Sequence, residues 1–261
     1  MHDNGKNVTG SVPDDIPTVC AVAVIAVSIS TFSHQAIGHG GACLLLGGRI
    51  NELTSVYFQC SLRSHLLAPA GPAANYLAGI VAWIVQMTLP QRASAARLLA
   101  LLVMAFSLFW ESGYLLFSMV AGRGDYFLAA QALLGNPQWP WRAAGVLAGV
   151  GLYMLFARVL GLSVRGFTTS AGRVSILLGS AWLAAMITAW VAAALYAPDR
   201  GGAFTRAAGE IAGAFPLLYP FNRVRATPAD AAPAILRNRA WIAAAIVVFA
   251  LFAATLGRGI S

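Results

Sequence analysis

Six apolar runs, each at or near the length of a bilayer-spanning helix, constrain this chain more than any other feature. Crossing about 30 Å of hydrocarbon takes about 20 predominantly apolar residues in a helix. The runs are Val19–Leu46, Leu66–Leu89, Leu98–Ala121, Ala143–Leu162, Val174–Ala197 and Ala240–Gly257, the last being the shortest. Within lipid, backbone polar groups must be paired inside the protein, and a helix does this within one segment. The expected fold is an all-α polytopic membrane bundle of about six transmembrane helices. Only 10% of the residues are charged, against about 25% in soluble domains, so a soluble class is excluded.

Three regions follow from this pattern. Residues 1–18 are polar, carry Pro13, Asp14, Asp15 and Pro17, and are expected to be disordered outside the bilayer. Residues 19–162 form the membrane core, and residues 163–261 add further transmembrane helices. The first apolar run is far longer than a signal-peptide core, and Lys6 is the sole basic residue before it, so it reads as a retained span. Within the last region, Ala203–Tyr219 places Phe204, Ile211, Phe215 and Leu218 roughly on one face, with Arg206 and Glu210 elsewhere. That suits a helix lying on the membrane or dipping into it.

The formal charge of +8 raises the question of nucleic acid. The basic residues, however, stand singly or in small groups between the spans, as topology signals do, and no aromatic-rich basic stripe accompanies them. No nucleic-acid partner is expected. The bilayer is the expected partner, with the cluster from Arg223 to Arg239 meeting anionic headgroups. The side bearing Arg49, Arg123 and Arg206 collects more basic residues, which favours a cytoplasmic position for it and both termini outside. The expected location is multi-pass, in a bacterial-type inner membrane. The three cysteines, Cys20, Cys43 and Cys60, lack paired spacing, and two fall in the first run, so no disulfide framework is expected.

The first run contains Ser33-His34-Gln35-Ala36-Ile37-Gly38-His39-Gly40-Gly41, polar where lipid favours Leu or Val. Ionisable groups inside a span are costly and usually mark a site. Neutral imidazole is among the commonest transition-metal ligands, so His34 and His39 are candidate ligands. The plainer alternative is two histidines hydrogen-bonded between packed helices. The second span opens with Ala68-Pro69-Ala70-Gly71-Pro72-Ala73-Ala74-Asn75, in which Pro72 suits the first turn of a helix and the small residues admit a close neighbour. Asn75 serves either packing or a site. In the third span Glu111 lies about ten residues, or roughly 15 Å of helix, from the side where the span ends, a depth close to that of His34. Asp125 lies just past that end. Polar groups from three spans thus converge toward one face. Between the first two spans, Ser55–Cys60 is β-prone and forms either a short hairpin or an ordinary loop.

On these residues the chain resembles the site-2 protease family of intramembrane zinc metalloproteases. His34-Gln35-Ala36-Ile37-Gly38-His39, with the following Gly40–Ile50, is similar to the family's first motif. Ala70-Gly71-Pro72-Ala73-Ala74-Asn75 is close to its Gly-Pro-x-x-Asn helix start, and Gly113–Ser118 with Gly124-Asp125 looks like a divergent third motif. The resemblance covers roughly residues 29–160. It implies that His34, His39 and Asp125 hold zinc, that Asn75 neighbours the substrate or oxyanion, and that a membrane-anchored protein substrate or a partner helix is bound. His65, before the second span, is a spare ligand candidate in place of Asp125.

Two departures stand out. The histidines are at i and i+5, about 140° apart on an ideal helix, and a π-bulge near Ile37-Gly38 would restore a common face. The general-base glutamate position holds Gln35, and an amide is not a usable base at neutral pH. Glu111 is then the candidate substitute on depth, with Glu52 nearer the surface. Three functions follow as alternatives: a zinc peptidase, a catalytically inactive relative that binds helices or proteins, and a small transporter. The last is the weakest, because the chain has neither duplicated halves nor paired broken helices.

Overall fold

The computed structural model describes residues 13–90, 92–165, 167, 171–218 and 234–260. In chain order the helices are α1 (Ile16–Phe32), a π-helical segment (Ser33–Gly40), α2 (Gly41–Leu45), α3 (Leu67–Thr88), α4 (Ala95–Ala121), α5 (Asp125–Leu134), α6 (Trp139–Val164), α7 (Ala171–Ala194), α8 (Arg200–Ala212) and α9 (Arg239–Phe252). A short 3₁₀ turn (Phe215–Leu218) follows α8, and a second π-helical turn (Ala253–Gly257) extends α9. Among the described residues, six helical stretches are long and apolar enough to cross a membrane: Ile16–Leu45, Leu67–Thr88, Ala95–Ala121, Trp139–Val164, Gly172–Ala194 and Arg239–Gly257. They coincide, in order, with the six runs read from the sequence. The chain is an all-α bundle of multi-pass type.

α1 begins at Ile16, earlier than hydropathy alone indicates. Asp15 caps it by accepting from the Thr18 backbone N–H at 3.0 Å, and Pro17 sits in the first turn where its missing N–H costs nothing. Asp14 takes a forked pair of bonds from Arg173 at 2.6 and 2.7 Å. Burial alone would raise the Asp14 carboxyl, but the guanidinium beside it holds the group below its ordinary range. The expectation of disorder through Thr18 is therefore corrected for residues 13–18, while residues 1–12 lie outside the described residues.

α4 is the axis of the bundle, buried continuously from Ala100 to Ser112 and packed against α1, α3 and α6. α1 also packs on α7 and α9. Lipid is as apolar as leucine, so such contacts depend on close packing and interhelical hydrogen bonds rather than on exclusion of water. Two contacts are close because glycine makes them so. A Cβ on Gly38 would lie 2.5 Å from the Gly71 Cα, and one on Gly213 would lie 2.9 Å from the Trp110 Cα. The first brings the π-helical segment against α3, and the second brings the end of α8 against α4.

The Ser55–Cys60 region forms the hairpin alternative. β1 (Ile50–Leu53) pairs antiparallel with β2 (Phe58–Cys60), and Leu53 also bridges to Ile260 near the other end of the chain. Against expectation, Cys43 and Cys60 are joined in a disulfide. The helix ends at Leu45, and Gly47, at φ 81°, turns the chain back so that the hairpin reaches Cys43. A Cβ on Gly48 would sit 2.6 and 2.9 Å from the two sulfurs, so this position needs glycine.

α8 departs from the surface-helix expectation as well. Its buried face is Ala203, Ala207 and Ile211, a small-residue stripe set against α7 and α4. Phe204 stacks on Trp190, with centroids 4.7 Å apart. Arg206 and Glu210 line the cavity described below. Tyr219, and all but the end of the Arg223 to Arg239 cluster, lie outside the described residues. Pro72 falls inside α3, one turn later than expected, because the helix starts at Leu67.

Candidate metal centre

The widened i, i+5 spacing of His34 and His39 is accommodated as the sequence suggests. Residues 33–40 are wound as a π-helix, in which five residues span about one turn, and the two imidazoles share a face. Both rings are buried. His34 lies flat on Trp110, centroids 4.7 Å apart, and His39 stacks on Phe58 of the hairpin at 5.2 Å. The rings are thereby fixed in plane before any ligand arrives.

Their hydrogen bonds fix the tautomers. His39 Nδ1 donates to the Leu67 carbonyl at 2.8 Å, which leaves Nε2 as a lone pair. His34 Nδ1 lies 2.7 Å from Glu111 Oε1, an oxygen that also accepts from Asn75 Nδ2 at 2.8 Å. His34 therefore also turns its Nε2 lone pair inward. The two Nε2 atoms are 3.2 Å apart, and Asp125 Oδ2 lies 3.6 Å from the first and 3.3 Å from the second. Three acceptors facing one another need a cation or a shared proton between them. Zinc bonds of 2.0–2.1 Å in a tetrahedron make ligand–ligand edges of about 3.4 Å, and the observed separations bracket that value. His34, His39 and Asp125 thus form a possible metal-binding triad, and the donor set fits the ion.

Asp125 reaches the histidines through a glycine turn. Gly122 at φ 66° and Gly124 at φ 93° reverse the chain after α4, and a Cβ on Gly124 would lie 2.8 Å from both Ser118 Oγ and Tyr114 Oη. Tyr114 Oη donates to Asp125 Oδ2 at 3.2 Å and accepts from the Asp125 N–H at 3.0 Å.

Glu111, a candidate base at the sequence level, does different work. Its side chain is fully buried in α4 and both oxygens are engaged, Oε1 by His34 and Asn75 and Oε2 by Tyr126 Oη at 3.0 Å. It orients His34, as outer carboxylates do for metal-bound histidines. Asn75 likewise holds Glu111 and is not among the residues that line the cavity. Glu111→Ala is expected to weaken metal binding about 10–100-fold, measured by competition with a chromophoric chelator, with Glu111→Gln showing a smaller loss. Wild-type affinity in Glu111→Ala would remove this assignment.

The triad lies on the wall of a cavity of about 1460 Å³. Gln35 also lines it: Nε2 reaches the Ser55 carbonyl at 3.5 Å, while the buried Oε1 has no partner among the described residues. His65 also lines the cavity but is not among the three residues of the possible triad. Glu52 is directed away, accepting from Tyr196 Oη. Glu210 of α8, not singled out by sequence reasoning, also lines the cavity. The signal available for it was one carboxylate, four residues after Arg206, in an amphipathic helix.

Comparison of the chain with family models, with curated proteins and with solved structures finds no match.

Proposed function

We propose that this chain is an intramembrane zinc metallopeptidase of the site-2 protease type, cleaving membrane-anchored protein substrates. The observation that carries the reading is the convergence of His34 Nε2, His39 Nε2 and Asp125 Oδ2 at tetrahedral-edge distances within a cavity among apolar helices. Zinc bound there would polarise a carbonyl and activate a water molecule. The chain's own residues supply the rest. Asn75 and Tyr126 hold Glu111, Glu111 holds His34, the Leu67 carbonyl holds His39, and Tyr114 holds Asp125. Residues of the hairpin and of α8 line the cavity beside the triad.

Gln35 favours a second reading, a catalytically inactive relative that keeps the metal and binds partner helices. Two measurements decide. Protein purified in detergent is expected to hold stoichiometric zinc by elemental mass spectrometry, and failure to bind zinc on titration overturns both readings. A mixture of synthetic single-span peptides in micelles, followed by mass spectrometry, then separates them. Internal cleavage supports the peptidase, and full zinc loading without cleavage supports the inactive relative.

A further inference from the structure

We infer that Glu210 is the general base of this site, supplied from α8 in place of the residue at position 35. The inference rests on the peptidase reading above and names the group that the first motif lacks. Among the carboxylates, Glu111 and Asp125 are committed to the histidines, and Glu52 is held by Tyr196. Glu210 lines the cavity with His34, Gln35, His39 and Asp125, and its carboxylate makes no hydrogen bond or ion pair among the described residues.

The packing explains how a helix outside the three motifs reaches the centre. Trp110, on which His34 lies, meets α8 where Gly213 allows backbone contact, and a Cβ on Gly113 would lie 3.3 Å from the Gly213 Cα. Glu210 is nearly one turn before Gly213 and is set by that contact. On its other side, Arg206 stacks over Tyr57, 4.7 Å from the ring centre, and Tyr57 Oη donates to Asp199 at 2.6 Å. Both ends of α8 are therefore pinned around the cavity. Burial, with Glu111 adding to it and His34 and Arg206 opposing, pushes the Glu210 carboxyl up to about 8. A base performs best with a pKa near the working pH.

The step balances as an ordinary hydrolysis. Glu210 takes one proton from the attacking water as its oxygen bonds to the scissile carbonyl carbon. The same proton then passes from Glu210 to the amide nitrogen as the C–N bond breaks, leaving a carboxylic acid and an amine. Gln35 also lines this cavity, its buried Oε1 has no partner among the described residues, and its amide cannot take the proton itself.

The test uses the full chain loaded with zinc, in micelles, with the single-span peptide mixture and with acetohydroxamate as a probe that needs no turnover. Glu210→Gln is expected to lower cleavage about 10²–10⁴-fold with zinc content unchanged. Acetohydroxamate affinity is expected to fall about 10-fold or more, the loss of one charge-assisted hydrogen bond. Gln35→Glu placed in the Glu210→Gln background is expected to restore both, because it returns a carboxylate to the first-motif position. A merely structural role for Glu210 would not be rescued from the other wall. Wild-type cleavage in Glu210→Gln overturns the inference and leaves the peptidase reading intact. Zinc binding without wild-type cleavage overturns both the hydrolytic reading and this base, and absence of zinc overturns the metal centre itself.

Discussion

Gly71→Ala is expected to lower zinc affinity by more than about 100-fold while the chain stays helical and inserted, since it displaces a ligand and outer-partner losses alone reach that scale. A Cβ at position 71 collides with the His39 imidazole, closest at Nε2 and 2.7 Å from Cδ2 and Cε1. The ring has nowhere to go. Its Nδ1 is tied to Leu67, in the same helix as the new methyl group, and its face rests on Phe58. Relief requires breaking one of these contacts, and either change moves Nε2 out of the triad. Chelator competition reads the affinity, and far-ultraviolet circular dichroism reads the fold. Wild-type affinity in Gly71→Ala would show that His39 does not stand where the triad needs it. Gly38→Ala acts differently, because its Cβ meets the Gly71 and Ala70 backbone at 2.5 and 2.6 Å, and backbone cannot rotate away. That variant is expected to lose about 1–3 kcal/mol of packing, a general destabilisation rather than a selective loss of metal.

Asp125→Ala is the second large effect, again a loss of more than about 100-fold in zinc affinity. The two imidazoles are neutral donors, so Asp125 supplies the only negative charge among the three ligand atoms. Removing it leaves two lone pairs 3.2 Å apart with no anion to balance a dication. Asp125→Asn separates charge from shape: it keeps an oxygen in place and is expected to recover only part of the loss. The same variants decide between Asp125 and His65. Undiminished zinc binding in Asp125→Ala, together with loss in His65→Ala, would transfer the third position to His65.

The spans were legible because continuous apolar length is a property of the sequence itself. So were His34 and His39, since a polar group inside a span is conspicuous and the i, i+5 spacing has a known structural remedy in the π-helix, whereas Asp125, just past the third span, was legible from its side of the bundle and from the motif it resembles. Gly71 and Asn75 were legible as a motif but not in their roles. That the glycine clears space for His39 and the asparagine holds Glu111 depends on how α3 meets its neighbours. Glu111 was placed by depth alone, and depth does not reveal which atoms a carboxylate faces. Glu210 was hidden for a further reason. α8 reads as an amphipathic surface helix from its aromatic residues, whereas Ala203 and Ala207 face the bundle and carry little hydropathy signal. The disulfide was missed because Cys43 sits within the first apolar run, and the stop at Leu45 is set by local glycine geometry rather than by apolar length.

The bond between Cys43 and Cys60 bears on which aqueous compartment the protein serves. Linked thiols endure in secretory, periplasmic or extracellular surroundings and are reduced in the cytosol of most organisms. A chain carrying that link in the cell would have its hairpin, and with it the cavity wall at Phe58 and Cys60, on the oxidising side. This is the reverse of the orientation that the basic residues favour.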